Sequence, residues 1–469
     1  MNIHSNNYDA IIIGAGISGL VCGCYLAKAG MKVLIVEQHY KPGGYCTSFN
    51  RKGFTFDAAA HSFGSYRDDG NFNKILTELG INNLIKIIRI NPSDIIVSPD
   101  FKIKLSNNIS EAINNFSKIF PSEENNIINF YRYFTNKLSN SLFENIKLKN
   151  MSFSSFLKNY FTDDILINSI AFPVFGNGGL PPSLMNAFTG TKIFSEFLID
   201  GGYYPTGGLQ NLPDALAFLI KENNGHILYR RQVKKILIKN NIVTGVKLDG
   251  NESFSSKYVV SACDIRQTYK KFINRPLVND NFLNKLEHMT QSLSTFILYL
   301  GFSKPFPKLP QPGVNIWYLP YYDLDKMFRN INIFDFEKIG GFMVRVSPDR
   351  NTMLAFFLAP FKTKLFWRKN KKIIAKKFLN KIENFIPGLK ENIACFDAAT
   401  PHTLYRYTLN YRGANYGWSP LQSQLFDLDF RQKTSFQGLY LTGHWLTQTH
   451  GIPGVAYLGH NAAKLILKN

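Results

Sequence analysis

Three glycines at a fixed spacing restrict this chain more than any other feature. Tyr8-Asp9-Ala10-Ile11-Ile12-Ile13 ends in an apolar, β-branched run that reads as a buried strand. Gly14-Ala15-Gly16-Ile17-Ser18-Gly19 follows at once, residues 20–29 read as a helix, and Gly30 stops it. Residues 31–36 read as a second strand, closed by Glu37. The unit has the size and order of a dinucleotide-binding βαβ fingerprint. Gly14 permits the tight turn, Gly16 leaves room for a pyrophosphate against the backbone, and Gly19 lets helix and strand pack closely. Ala15 and Ser18 complete the loop at the helix N-terminus, whose unpaired N–H groups suit a diphosphate. Glu37 is placed to accept hydrogen bonds from a ribose.

The next segment separates flavin from nicotinamide. Gly43-Gly44 follows the ribose acid closely and lets a loop run along the diphosphate. Residues 54–57 read as a strand, and Ala58-Ala59-Ala60-His61-Ser62-Phe63-Gly64 as a small-residue turn. Further on stand Tyr204-Pro205-Thr206-Gly207-Gly208, Thr400-Pro401-His402-Thr403, Arg406-Tyr407-Thr408 and Gly413-Ala414-Asn415-Tyr416-Gly417. Near the end come Gly438-Leu439-Tyr440-Leu441-Thr442-Gly443-His444 and Gly451-Ile452-Pro453-Gly454-Val455.

Taken together these segments resemble the FAD-dependent phytoene desaturase, carotenoid isomerase and retinol saturase family, within the wider amine oxidase-type flavoproteins. The likeness runs from Tyr8 to Ile466. It implies an α/β fold: a Rossmann-like, glutathione reductase-type FAD-binding domain with an inserted α+β substrate domain. The cofactor domain is expected from residues 1–75, 203–265 and 430–469, and the substrate domain from 76–202 and 266–429. The resemblance puts the backbone of Val233 at the adenine, with Gly443 and Val455 at the flavin end. It implies an oxidoreductase that desaturates, isomerises or saturates a long apolar isoprenoid or polyene. His450, His444 and His61 are the candidate proton-handling residues, because imidazole titrates near neutrality. The rival within the fold is a flavin amine oxidase, and outside it a non-catalytic flavin- or lipid-binding protein.

Between the motifs, residues 110–120 and 123–137 read as helices and residues 76–200 as mostly helical. Residues 293–302, 342–346 and 353–358 read as apolar strands, and the final helix as residues 454–467. Asp264 reads as a loop or cap acid. No histidine pair shares ligand spacing with a carboxylate, so no metal site is expected. Five cysteines (Cys22, Cys24, Cys46, Cys263, Cys395) form neither metal spacing nor a disulfide framework. Their odd number fits a reducing, cytoplasmic location.

The first ten residues lack a signal peptide's basic start, and no apolar run reaches ~20 residues, so a membrane contact would be peripheral. Lys plus Arg number 54 and Asp plus Glu 33, a formal net charge of +21. One reading is compositional drift in a chain rich in Lys, Asn and Ile. The other is attraction to a polyanion, and with no nucleic-acid motif in sight that means an anionic membrane surface. A helix over residues 366–385 carries Ile374, Phe378, Ile382 and Phe385 on one face and lysines elsewhere. Residues 171–182 read first as a core-packed run, with lipid contact or a substrate mouth as the alternative. Nothing in the sequence sets an oligomeric state.

Overall fold

The computed structural model describes residues 6–135, 142–348, 351–446 and 450–468. Its first sheet is built around the apolar run of the fingerprint. Strand Asn7–Ile13 pairs in parallel with Val33–Val36 on one side and Ser253–Ser261 on the other. His226–Leu228 extends the sheet beyond Val33–Val36, again in parallel. Leu439–Leu441 pairs in parallel with the far end of Ser253–Ser261. The near end of that strand instead takes antiparallel Ile242–Leu248, which pairs with Val233–Lys239. The sheet thus draws strands from three separated stretches of chain.

Alternate residues of the central strand feed two cores. Ala10 and Ile12 face helices Ile17–Lys28, Asn211–Glu222 and Gly451–Leu467. Ile11 and Ile13 face Val233, Leu286, Trp418 and Trp445. Burial on both faces explains the unbroken apolar reading of this strand. The final helix begins at Gly451 rather than 454, because Pro453 lies in its first turn, where no N–H is needed.

The second sheet runs in the order Ile393–Ala399, Ser294–Phe302, Thr352–Ala359, Phe342–Val346, Asn315–Tyr318, Asp94–Val97, Lys102–Leu105. Its pairings are antiparallel except between Asn315–Tyr318 and Asp94–Val97. Ser294–Phe302 and Thr352–Ala359 are buried at every position. Helix Lys364–Phe385 packs on this core through Trp367, Ile374, Phe378 and Ile382.

Several expectations need correction. The stretch 76–200 is not mostly helix in its first part: it supplies Ile87–Arg89, Asp94–Val97 and Lys102–Leu105. The two helices expected there are Ile109–Ser117 and Glu124–Thr135, and Lys137 lies outside the described residues. Residues 171–178 follow the core-packing reading, not the lipid one. They end helix Asp164–Gly178, and Ala171, Phe172, Val174 and Phe175 are core. No helix among the described residues is long and apolar enough to cross a membrane.

Candidate flavin site

The turn after the first strand is shaped by what its glycines lack. Gly14 sits at φ +101°, a backbone few side chains adopt, and its N–H donates to Val36 O at 2.9 Å. A β-carbon on Gly16 would meet nothing within 4 Å, because the space beside it is open cavity. A β-carbon on Gly19 would stand 2.1 Å from the Gly14 carbonyl, so this residue serves close packing. Helix Ile17–Lys28 starts with no side-chain cap and no acid in its first turn. Its N–H groups and positive dipole end are left for an external anion.

The Gly43-Gly44 loop lies directly on this turn. Gly43 N–H donates to Ala15 O at 2.8 Å, and a β-carbon on Gly44 would stand 3.5 Å from Gly16 Cα. Glu37 closes the loop from the other strand. Its carboxylate accepts from the N–H of Ala15 (2.7 Å) and of His39 (2.8 Å). Burial raises the Glu37 carboxyl, and those backbone donors pull it back.

The chain's end completes the cradle. Thr442 pairs its hydroxyl with that of Ser18 at 2.5 Å, and Gly443 turns at φ +99°. Helix Gly451–Leu467 crosses Ile17–Lys28 so closely that a β-carbon on Gly459 would stand 2.2 Å from Ser18 O. These parts enclose one cavity of about 1410 Å³. A pocket for one small molecule is typically ~300–1,000 Å³, so there is room for a second ligand beside a cofactor.

Of the residues singled out from sequence, Gly14, Gly16, Ser18, Glu37, Gly43, Gly44, Val233, Gly443 and Val455 line this cavity. Ala15 and Gly19 stand behind the wall: Ala15 orients Glu37, and Gly19 packs the helix. His61, His444 and His450 all line it. His450 comes close enough to His444 to oppose its protonation, while the His61 ring centre lies 5.9 Å from that of Phe356 of the second sheet. Burial pushes His450 down to about 4 and His444 to about 3, so both stay neutral near pH 7. His450 Nδ1 is buried without a hydrogen-bond partner. Asp264 is the N-cap of Ile265–Gln267 and also accepts the Tyr411 N–H at 2.6 Å, a structural role.

Sequence reasoning missed the wall formed by Ala187–Ile193 and the π-helical turn Phe194–Ile199, which contributes Phe188, Lys192, Glu196 and Phe197. It carries no motif. Only the π-turn itself, a local irregularity common at functional sites, marks it.

The His450 assignment predicts a pH effect. Its folded-state value lies below the ordinary 6.5, so the unfolded chain takes up the proton first as pH falls. Stability from this residue is complete above about 6.5 and is lost on going down toward about 4. His450→Gln, which takes no proton, should gain on the parent by up to ~1.4 kcal/mol per pH unit in that window. Denaturant titrations of the pair at pH 7, 6 and 5 read the difference; a constant difference contradicts it.

An uncapped helix N-terminus, a Cβ-free cradle and a part-buried acid at the end of the neighbouring strand fit the diphosphate and ribose of a dinucleotide. The remaining room in the same cavity leaves a substrate space beside the cofactor cradle. Residues 17–467 match the model of the flavin containing amine oxidoreductase family, so the chain belongs to that family. It is an FAD-dependent oxidoreductase. Prolycopene isomerase 2 of an Oncidium hybrid cultivar is 27 % identical, over 97 % of this chain and 83 % of that protein. All-trans-retinol 13,14-reductase of Danio rerio is 24 % identical, over 93 % and 82 %. The lycopene-forming phytoene desaturase of Pseudescherichia vulneris is 22 % identical, over 98 % and 99 %. An oxidoreductase from Methanosarcina mazei superposes with a TM-score of 0.67 at 16 % identity, covering 98 % of this chain and all 100 % of that one. Putrescine oxidase bound to putrescine gives 0.65 at 14 %, covering 99 % of each, a likeness of fold.

Proposed function

We propose that this oxidoreductase acts on the C–C and C=C bonds of a long apolar isoprenoid or polyene. The observation that carries the reading is the charge state of the cavity wall. Three carboxylates line it among the described residues, and each is already engaged. Glu37 is held by backbone N–H groups, Glu196 by Arg67 at 3.0 Å, and Asp397 by Arg51 at 3.0 Å. Lys41, Arg51, Lys192, Arg231, Lys371 and Arg406 line it too. Such a wall offers an ammonium group no unengaged carboxylate, while Phe49, Ile297, Tyr299 and Phe356 offer apolar contact. The rival amine-oxidising reading needs an aromatic pair beside the ring; here the imidazole of His450 faces Tyr416 at 6.4 Å between ring centroids. The relatives named for prolycopene, retinol and phytoene add support.

The cofactor part is read as residues 1–75, 203–265 and 430–469, and the substrate part as 76–202 and 266–429. Gly14, Gly16, Ser18, Gly43 and Gly44 would hold the diphosphate, Glu37 a ribose, Val233 the adenine, and Gly443 and Val455 the ring end. Bound FAD supplies a reversible hydride-accepting centre. The chain's own work is to hold the polyene against that centre and keep water out. His450, neutral and with Nδ1 unpaired, can give or take a proton there.

Anaerobic incubation with carotenoid precursors, retinoids and amines should bleach the flavin, or yield an isomerised product, with a polyene alone. Reduction by an amine would turn the reading to the rival, and stoichiometric flavin inert to both classes would favour a carrier.

An anionic membrane surface is the proposed source of the substrate. On helix Lys364–Phe385, Lys371, Lys377 and Lys381 are engaged with Asp397, Glu337 and nearby carbonyls. Arg368, Lys369, Lys372 and Lys376 remain exposed, beside Leu365 and Ile373, each 55 % exposed. Binding to anionic vesicles should weaken several-fold as salt rises from low to physiological strength. Equal binding to neutral vesicles removes the electrostatic part.

A further inference from the structure

Behind His61 lies a second, small cavity of about 30 Å³, lined by Asp57, His61, Tyr204, Arg345 and Thr352 among others. His61 therefore faces two spaces, this one and the large cavity. Arg345 is only 4 % exposed, on a strand buried throughout. Its Nε donates to Gly313 O at 3.0 Å, and its guanidinium carbon stands 4.8 Å from the centre of the Tyr204 ring. Its Nη2 is buried with no hydrogen-bond partner. Among the described residues no carboxylate pairs with it directly. Asp57 faces the same small cavity with its own set of donors. Its Oδ1 accepts from Ser48 Oγ (2.8 Å) and Leu209 N–H (3.3 Å), and its Oδ2 from the Tyr204 hydroxyl (2.6 Å).

A carboxylate has about four acceptor sites, so Asp57 has capacity left. Arg345 with its orphan donor and Asp57 with its spare acceptor both line this small space, which Phe56, Pro348 and Leu354 close on its apolar side and which has room for a water. A water that accepts from Nη2 and donates to Asp57 satisfies both at once. We propose that one ordered water fills this cavity as the bridge of an Arg345–Asp57 pair, and that the bridged pair keeps His61 a neutral imidazole on the wall of the large cavity.

The charges around His61 agree with this. Arg345 opposes a second proton on the ring. The charge of Asp57 is taken up by Ser48, Leu209, Tyr204 and the water, so it offsets little of that effect. Asp94 reaches His61 only through neutral groups. It accepts from Trp317 Nε1 (2.7 Å) and Asn315 Nδ2 (3.0 Å), and Asn315 lies 3.5 Å from Ser62 Oγ, itself 3.3 Å from His61 Nδ1. Burial and the Arg345 charge push His61 down to about 3, with Asn315 opposing. A neutral ring beside an apolar substrate avoids stranding a charge there. That use of His61 rests on the polyene reading; the water and the titration do not.

The test uses the FAD-loaded full chain and no substrate. A high-resolution crystal structure should show one water within hydrogen-bond distance of Arg345 Nη2 and an Asp57 oxygen. An empty cavity, or direct contact between the two side chains, overturns the proposal. In parallel, 15N-histidine NMR follows His61, assigned by loss of its signals in His61→Gln. The parent ring should stay neutral at pH 5. Arg345→Met should raise its titration by about one pH unit or more, and Arg345→Lys, which keeps the charge, should leave it low. An unchanged His61 in Arg345→Met overturns the proposal. Should that variant fail to fold, the density in the parent decides alone.

Discussion

Gly16→Val should give a folded, soluble and colourless protein. Gly16 has φ −69° and ψ 168°, extended backbone that valine adopts readily. Its β-carbon would touch nothing within 4 Å, so the substitution enters open space instead of packed core. Stability without cofactor should stay within ~0.5 kcal/mol of the parent. The new side chain instead fills the cradle between the helix N-terminus and the Gly43-Gly44 loop, where the diphosphate must lie. Ejecting that anion forfeits several charge-assisted hydrogen bonds, and affinity for FAD should fall by at least ~100-fold, about 2.7 kcal/mol. Visible absorbance of the purified protein reads the loss. Melting with and without added FAD reads it again, since only a binding protein is stabilised by ligand. A yellow Gly16→Val with full flavin content would refute the assignment. The neighbouring Gly19 makes the contrast: its β-carbon meets backbone at 2.1 Å, so a change there damages folding rather than binding.

That contrast also shows what the sequence could convey. A glycine spacing encodes backbone geometry directly, so the strand, turn, helix and acid of the N-terminus were legible residue by residue. The fully apolar strands Ser294–Phe302 and Thr352–Ala359 were legible because both faces are buried. Asp94–Val97 and Lys102–Leu105 were not. Each is four residues long, and their place in the sheet depends on Asn315–Tyr318, more than 200 positions away in sequence. The apolar run 171–182 is helical only as far as Gly178, and it meets a protein core because Trp317 and Phe328 cover it. The basic face of Lys364–Phe385 was read as a block, but three of its lysines reach specific acids or carbonyls. Side-chain partners chosen by tertiary contact leave no periodic trace. The same holds for Arg345, which in sequence is one base within a strand.

Gly64→Val should abolish soluble protein, although Gly64 belongs to no nucleotide motif. A β-carbon there would lie 1.5 Å from the Glu196 carbonyl oxygen and 2.8 Å from that of Asp200. The obstacle is the backbone of the π-helical turn, which forms the cavity wall the sequence did not announce. Neither side can retreat. Phe63 and Tyr203 exchange backbone hydrogen bonds, each at 3.1 Å, one residue from Gly64. Arg67 clamps the turn from the other side, donating to Glu196 at 3.0 Å and Asp200 at 2.9 Å. Overpacking a core usually costs ~1–3 kcal/mol because side chains give way. Here two main chains would have to separate and those bonds break, so the cost should exceed ~4 kcal/mol. Any soluble fraction should melt about 4 °C or more below the parent. Added FAD should not rescue it, since the defect precedes the cradle's assembly. Soluble yield and a thermal scan, with Gly16→Val as the folded control, check this. A Gly64→Val protein that melts with the parent would mean that the loop and the π-turn are not in the backbone contact on which the far wall of the cavity depends.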